Sequence, residues 1–227
     1  GAGVGYSAYA MLVKSADDHA RAAKAAGAEG DWTTAEMHAS KAVSKEKANP
    51  EYVKLWKEAL EHIVPTTQVA FDDKLQRWFG ACRQLGIVQR DNIAAQRDYL
   101  ESRRKTLIAG AFNRQAAEFM VTECDAFIAM HSGKPSGEWE TLRRYRGLAR
   151  LRLLAETPDA RPSAWTDCKD DFEAALKADP ADGPAAVGLE GLLQGMAARA
   201  TQQGDTQAAA DLEKAAGEGF TKFLAAN

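Results

Sequence analysis

The chain has 227 residues, of which 45% are apolar, enough to bury a substantial core in one long domain or two short ones. Its 29 basic and 32 acidic residues leave a net charge of −3, which argues against a general nucleic-acid binder. The three cysteines, Cys82, Cys124 and Cys168, lie far apart and form no CxxC, which argues against a disulfide framework or a thiolate zinc site.

In chain order, residues 1–13, "GAGVGYSAYAMLV", carry no charge. They are fewer than the roughly 20 residues that span a bilayer. Two readings stand: the end of a membrane anchor or signal segment continuing upstream of Gly1, or the start of the first helix. The glycines at 1, 3 and 5 are not a dinucleotide fingerprint, because Tyr6 stands where the third glycine belongs and no strand precedes it.

From there the chain reads as helix almost throughout, rich in Ala, Leu, Glu, Lys and Arg, with no alternating β-branched run. The breaks at Gly30-Asp31, Asn49-Pro50, Pro65, 86–92, Gly110, 131–137, 157–162, 179–184 and Gly204-Asp205 predict five antiparallel helix pairs. The pairs are 6–28 with 32–48, 50–63 with 67–85, 89–109 with 111–131, 138–156 with 163–178, and 184–203 with 205–225. Tyr52, Trp56, Ala59, Leu60 and Ile63 mark one face of the second pair's first helix. Pro50 suits that helix's first turn, and Pro65 stops it. No stretch is rich enough in Gly, Ser or Pro to separate domains, so residues 14–227 read as a single helical domain.

One phrase is written twice. "GDWTTAEMHASKAV" begins at Gly30 and "GDTQAAADLEKAAG" at Gly204. In register, Gly30 matches Gly204, Asp31 matches Asp205, Ala35 matches Ala209, and Ala42 matches Ala216. Glycine can close one helix in the left-handed region, and aspartate can cap the next. Small residues seven apart let the two helices lie close. "FEAALKADPADGPA" supplies the other end of such a unit: Phe172 and Ala175 lie about one turn apart, and Asp179-Pro180 ends the helix. Asn49-Pro50 reads as a looser copy of that ending.

This pattern resembles the tetratricopeptide repeat, best at 16–64 and 165–217. The resemblance implies an all-α, antiparallel helix-pair solenoid with a period of about 34 residues and a concave face that binds a protein or peptide. No enzyme activity and no cofactor are expected. The order of parts is similar to membrane-anchored bacterial members, with the soluble domain outside the cytoplasm. Residues 66–137 lack the phrase and are the least repeat-like part.

Motifs of chemistry are scarce. His19, His38, His62 and His131 form no HExxH or Glu-x-x-His, and each reads as a surface or half-buried side chain. GxSxG, the P-loop and the protein-kinase set are absent. Charge offers one candidate binding site: Arg143, Arg146 and Arg150 share a helix face, with Arg144 and Arg152 offset. Such a stripe suits an acidic peptide, a carboxylate or a phosphate through forked contacts, and its charges should be reversible without unfolding. The competing reading is a solvated face paired with acids such as Glu140. Arg90, Arg97 and Arg104 repeat every seven residues beside Ile93, Leu100 and Leu107, a stripe expected to pack within the chain. The expected role is a scaffold for a protein partner, with a permanent subunit of a larger complex as the alternative. A helical RNA-binding repeat would carry recurring base-reading pairs, and none recurs.

Overall fold

The computed structural model describes residues 14–109, 113–131, 133, 137–157 and 159–226. Residues 1–13, Gly110 and most of the 131–137 break lie outside them. Among the described residues the chain forms ten α-helices, one 3-10 segment and no strand. The helices are α1 (Ala16–Ala28), α2 (Trp32–Lys45), α3 (Pro50–His62), α4 (Gln68–Val88) and α5 (Ile93–Ala109). After them come α6 (Arg114–His131), the 3-10 segment (Gly137–Leu142), α7 (Arg143–Ala155), α8 (Pro162–Ala178), α9 (Gly183–Gln202) and α10 (Thr206–Ala226). Packing divides the chain into two compact units, Gly1–Tyr99 and Leu100–Asn227, with the division inside α5.

In the first unit each helix packs on the next, from α1 to α4, and α1 also touches α3. Its core is built largely from small residues. Ala16, Ala20, Ala35, Ala39 and Ala42 are buried, which brings the axes of α1 and α2 close, while Val53 and Leu60 fill the α3 side. Glu36, buried on α2, accepts from Trp56 Nε1 of α3 at 2.8 Å and pairs with Arg77 Nη1 of α4 at 2.9 Å. One carboxylate thereby ties three helices. At the far end of the unit, Gln96 of α5 is buried and donates to the carbonyls of Gly86 and Arg90, both at 3.2 Å.

The second unit repeats the scheme of neighbour on neighbour: α6 on α7, α7 on α8, α8 on α9 and α9 on α10, with α7 also reaching α9. Phe172 of α8 is its centre, with Leu154, Cys168, Ala175, Ala185 and Leu192 around it.

The repeated phrase makes the same turn twice. Gly30 has φ +79° and Gly204 φ +81°. The N–H of Asp31 donates to Ala26 O at 2.9 Å and that of Gly30 to Gly27 O at 3.0 Å. The N–H of Asp205 donates to Ala200 O at 2.9 Å and that of Gly204 to Thr201 O at 3.0 Å. Both are Schellman closures, in which a left-handed residue lets two orphan carbonyls of the ending helix be satisfied. Each aspartate then caps the next helix: Asp31 Oδ1 accepts from Thr34 N and Asp205 Oδ1 from Ala208 N, each at 3.0 Å. Ala35, Ala42, Ala209 and Ala216 are all buried.

Three expectations need correction. The looser copy is not a copy: Pro50 is the first residue of α3 behind its cap Asn49, whereas Pro180 lies in the turn after α8. The cap of α9 is Asp182, whose Oδ1 accepts from Ala185 N at 3.0 Å, with Pro184 just inside the helix. The helix predicted from 138 begins instead as the 3-10 segment. Trp139 and Leu142 are buried there at i and i+3, and the Thr141 hydroxyl donates back to Glu138 O at 2.7 Å, so three-residue turns bury both apolar side chains. Third, three of the four histidines are buried, not surface groups: His19, His38 and His131, while His62 stacks on Trp32 with ring centroids 4.0 Å apart.

In the least repeat-like stretch, Thr67 caps α4, its Oγ1 accepting from Ala70 N at 3.1 Å, and asparagine caps the next two helices. Asn92 Oδ1 accepts from Ala95 N at 3.1 Å ahead of α5, and Asn113 Oδ1 from Ala116 N at 3.0 Å ahead of α6.

Candidate functional site

The arginine stripe lies on α7, and the structure turns it onto a carboxylate of the same unit. Asp171 of α8 is 1% exposed at its side chain. Arg146 Nε bonds both of its oxygens, at 3.0 and 2.9 Å, and Nη2 bonds Oδ1 at 2.5 Å. Arg150 Nη1 donates to Asp171 Oδ2 at 2.7 Å and to the Asp167 carbonyl at 3.0 Å. Arg143 Nη1 lies 3.7 Å from Asp171 Oδ1, and its Nε bonds Glu140 of the 3-10 segment. Arg146 Nη1 reaches Asp125 of α6 at 2.5 Å. Three cations therefore face three anions, and the network joins α6, the 3-10 segment, α7 and α8.

Burial opposes the charge on Arg146, but its hydrogen bonds and charge pairing with Asp171 and Asp125 outweigh it and hold its pKa above the usual value. Arg144, offset from the stripe, pairs with Asp182 at 3.0 Å, so the cap of α9 also anchors α7. The pairing with Glu140 that the competing reading expected is present, but the stripe is half-buried rather than solvated. Asp171 carried a readable signal. It falls on the buried stripe Cys168, Asp171, Ala175, at i, i+3 and i+7, and a charge on such a stripe needs a partner.

Beside this network a cleft of about 470 Å³ opens between α6, α7 and the start of α8. Val121, Leu153, Leu154, Ala160 and Ala164 give it an apolar lining, with Thr157 at one edge. Two of the charged groups lining it, Arg150 and Glu118, are already engaged. Arg150 is held by Asp171, and Arg114 donates to Thr157 Oγ1 at 2.9 Å and pairs with Glu118 at 3.6 Å. Two are not: Arg161, which precedes Pro162, and Asp167 have no side-chain ion pair among the described residues. A smaller groove of about 220 Å³ in the first unit is lined by Glu61, Phe71, Lys74, Leu75 and Trp78.

The remaining reactive groups are shielded. Burial pushes the thiols of Cys82 and Cys168 up to about 12 and raises that of Cys124 as well, so none is a ready nucleophile at neutral pH. Cys168 Sγ instead donates to Gly147 O at 3.3 Å. His19 Nδ1 and His38 Nδ1 meet at 3.1 Å in the α1–α2 interface, one donating and the other accepting. Burial, then His19 and Lys14 nearby, depress the pKa of His38. Among the described residues no group of three or more His, Cys, Asp and Glu side chains is placed to hold a metal ion, and no helix is long and apolar enough to cross a membrane.

No protein-family model matches this chain, and no curated protein matches it.

Proposed function

We propose that the chain is a non-enzymatic helical-repeat protein of the tetratricopeptide type, a solenoid of helix pairs that holds a protein or peptide partner. The observation that carries this reading is the pair of turns at Gly30-Asp31 and Gly204-Asp205, with the same φ and the same closing and capping bonds in both units. A unit written twice in this way is what helix-pair repeat arrays use, and such arrays offer extended surfaces to partners. The solvent-open cleft of the second unit supplies a concave surface with both apolar and charged groups. A tether upstream of Gly1 would place that surface at a membrane.

The test is co-purification of the full-length tagged protein from separated membrane and soluble fractions of its source cells. The expected result is one or a few proteins in fixed, sub-stoichiometric or equal ratio, in the membrane fraction if the tether exists. A chain recovered alone from both fractions overturns the scaffold reading.

A permanent subunit of a larger assembly is the second reading, favoured by one observation. Val64, Val69 and Phe71 are exposed together where α3 gives way to α4, Val64 at 84%. An obligate subunit purified alone should aggregate or self-associate in light scattering, whereas a transient scaffold should stay monodisperse.

A further inference from the structure

We propose that the cleft between α6, α7 and the start of α8 is the peptide-docking site of this chain, and that its occupant is an extended segment with two apolar residues between one acidic and one basic residue. The inference rests on the reading of the chain as a peptide-holding protein.

The choice of occupant follows from what the cleft leaves unspent. Leu153, Leu154 and Val121 offer apolar surface to side chains, in a volume of about 470 Å³. That lies within the range of about 300–1,000 Å³ typical of ligand pockets. Arg150 and Arg114 cannot serve an incoming anion without giving up Asp171 and Glu118. Arg161 can, and the first turn of α8 beside it has Pro162 at its start and no side-chain cap, so the positive end of the helix adds to the same potential. Asp167 is the complementary group, a carboxylate with no ion pair among the described residues, free to receive a cation.

An acidic segment without a cation would leave Asp167 facing like charge. A purely basic one would face Arg161. A segment carrying one of each satisfies both. The spacing agrees: Arg161, just ahead of α8, and Asp167 within it are six residues apart, about 9 Å of rise along the helix axis. Residues i and i+3 of an extended peptide stand about 10 Å apart.

The probes are two acetylated, amidated tetrapeptides of reversed charge order, Glu-Leu-Leu-Lys and Lys-Leu-Leu-Glu, titrated into the ¹⁵N-labelled full chain and followed by amide shifts. The neutral Gln-Leu-Leu-Gln peptide is the control. Saturable shifts are expected at residues lining the cleft, with one charge order bound about threefold to fivefold more tightly than the other and than the neutral peptide, as exposed ion pairs allow. The double variant Arg161→Asp, Asp167→Arg should invert that preference. Both positions are exposed, so the fold should survive. Should the double variant fail to fold, Arg161→Gln alone should abolish the preference. Equal binding of the two orders, a preference that survives the swap, neutral binding as tight as charged, or no saturable shift at millimolar peptide would each overturn the proposal. Co-purification keeps the two levels apart. A partner retained by the double variant sinks this cleft and leaves the scaffold reading standing. No partner with the unaltered chain sinks the scaffold reading itself.

Discussion

The ring of Phe172 occupies the space that a side chain on Gly188 would need. A Cβ there would come within 2.5 Å of both Cε1 and Cζ, and on the other side a Cβ on Gly147 would come within 2.9 Å of Cε1. The ring is wedged between α7 and α9, and both glycines sit mid-helix, where alanine would otherwise be preferred.

Gly188→Ala should therefore destabilise the protein even though alanine favours helix by up to about 1 kcal/mol. Overpacking of a filled core costs about 1–3 kcal/mol and should win. Gly191→Ala, three residues on with nothing near its Cβ, should have the opposite sign, a gain of about 0.5–1 kcal/mol. Urea unfolding of the two variants gives the comparison, and equal signs would refute the wedge.

At the turns, space is open and the backbone decides. No atom lies within 4 Å of a Cβ built on Gly30 or Gly204, yet both have φ near +80°. Replacing either with valine should cost about 1 kcal/mol or more, because a β-branched residue resists positive φ. Asparagine in the same place should cost clearly less. Thermal melting of the four variants distinguishes this from a packing effect, which would rank them by size alone.

The buried carboxylate of Asp171 should be the most sensitive charge in the second unit. Asp171→Ala leaves Arg150 without its ion pair and Arg146 with Asp125 alone, and a loss of about 3–5 kcal/mol is expected for breaking a buried pair from one side. Arg146→Glu should be as damaging, since it sets two carboxylates against each other. The expectation that this stripe could be charge-reversed without unfolding therefore fails on geometry. Arg161→Glu, exposed and unpaired among the described residues, should leave the unfolding free energy within about 0.5 kcal/mol of the original.

Stability should fall as the medium is acidified through the histidine range. The folded pKa of His38 lies below its usual 6.5, so the unfolded chain takes up a proton first. Its contribution is complete above about 6.5 and is lost as pH falls towards the depressed folded value. His19 and Lys14 face it, and both oppose its charge. Unfolding midpoints measured from pH 7.5 to 5 should drop more steeply for the original protein than for His38→Gln. Parallel slopes would remove His38 as the cause.

Thiol reactivity gives a last check. At pH 8 all three cysteines should resist iodoacetamide in the folded protein and react in denaturant, because burial both hides them and keeps them protonated. Rapid labelling of any one in the native state would contradict its placement.

What the sequence showed well was local. Helix type, the turns at Gly30 and Gly204, and their capping aspartates depend on residues no more than about five apart, and composition and spacing report such contacts directly. The His19–His38 contact, the hold of Asp171 on Arg146 and the wedge of Phe172 join residues on different helices. No local pattern encodes the rotation of one helix against another. The pairing partner of the arginine stripe was visible only as an anomaly, an aspartate on an apolar face. Arg161 and Asp167, without an ion pair among the described residues, gave no sign, since a charge left over becomes apparent only once its neighbours' pairings are known.

Asp31 and Asp205 each serve two helices with two different atoms, the amide closing one and the carboxylate opening the next. The consequence is kinetic. Closing so short a loop loses little chain entropy and takes well under a microsecond in an unfolded chain. The α1–α2 and α9–α10 hairpins should therefore form early. The Asp171–Arg146 clasp, which spans 25 residues, should come later. Lesions at the turns would then slow folding, and lesions at the clasp would chiefly hasten unfolding.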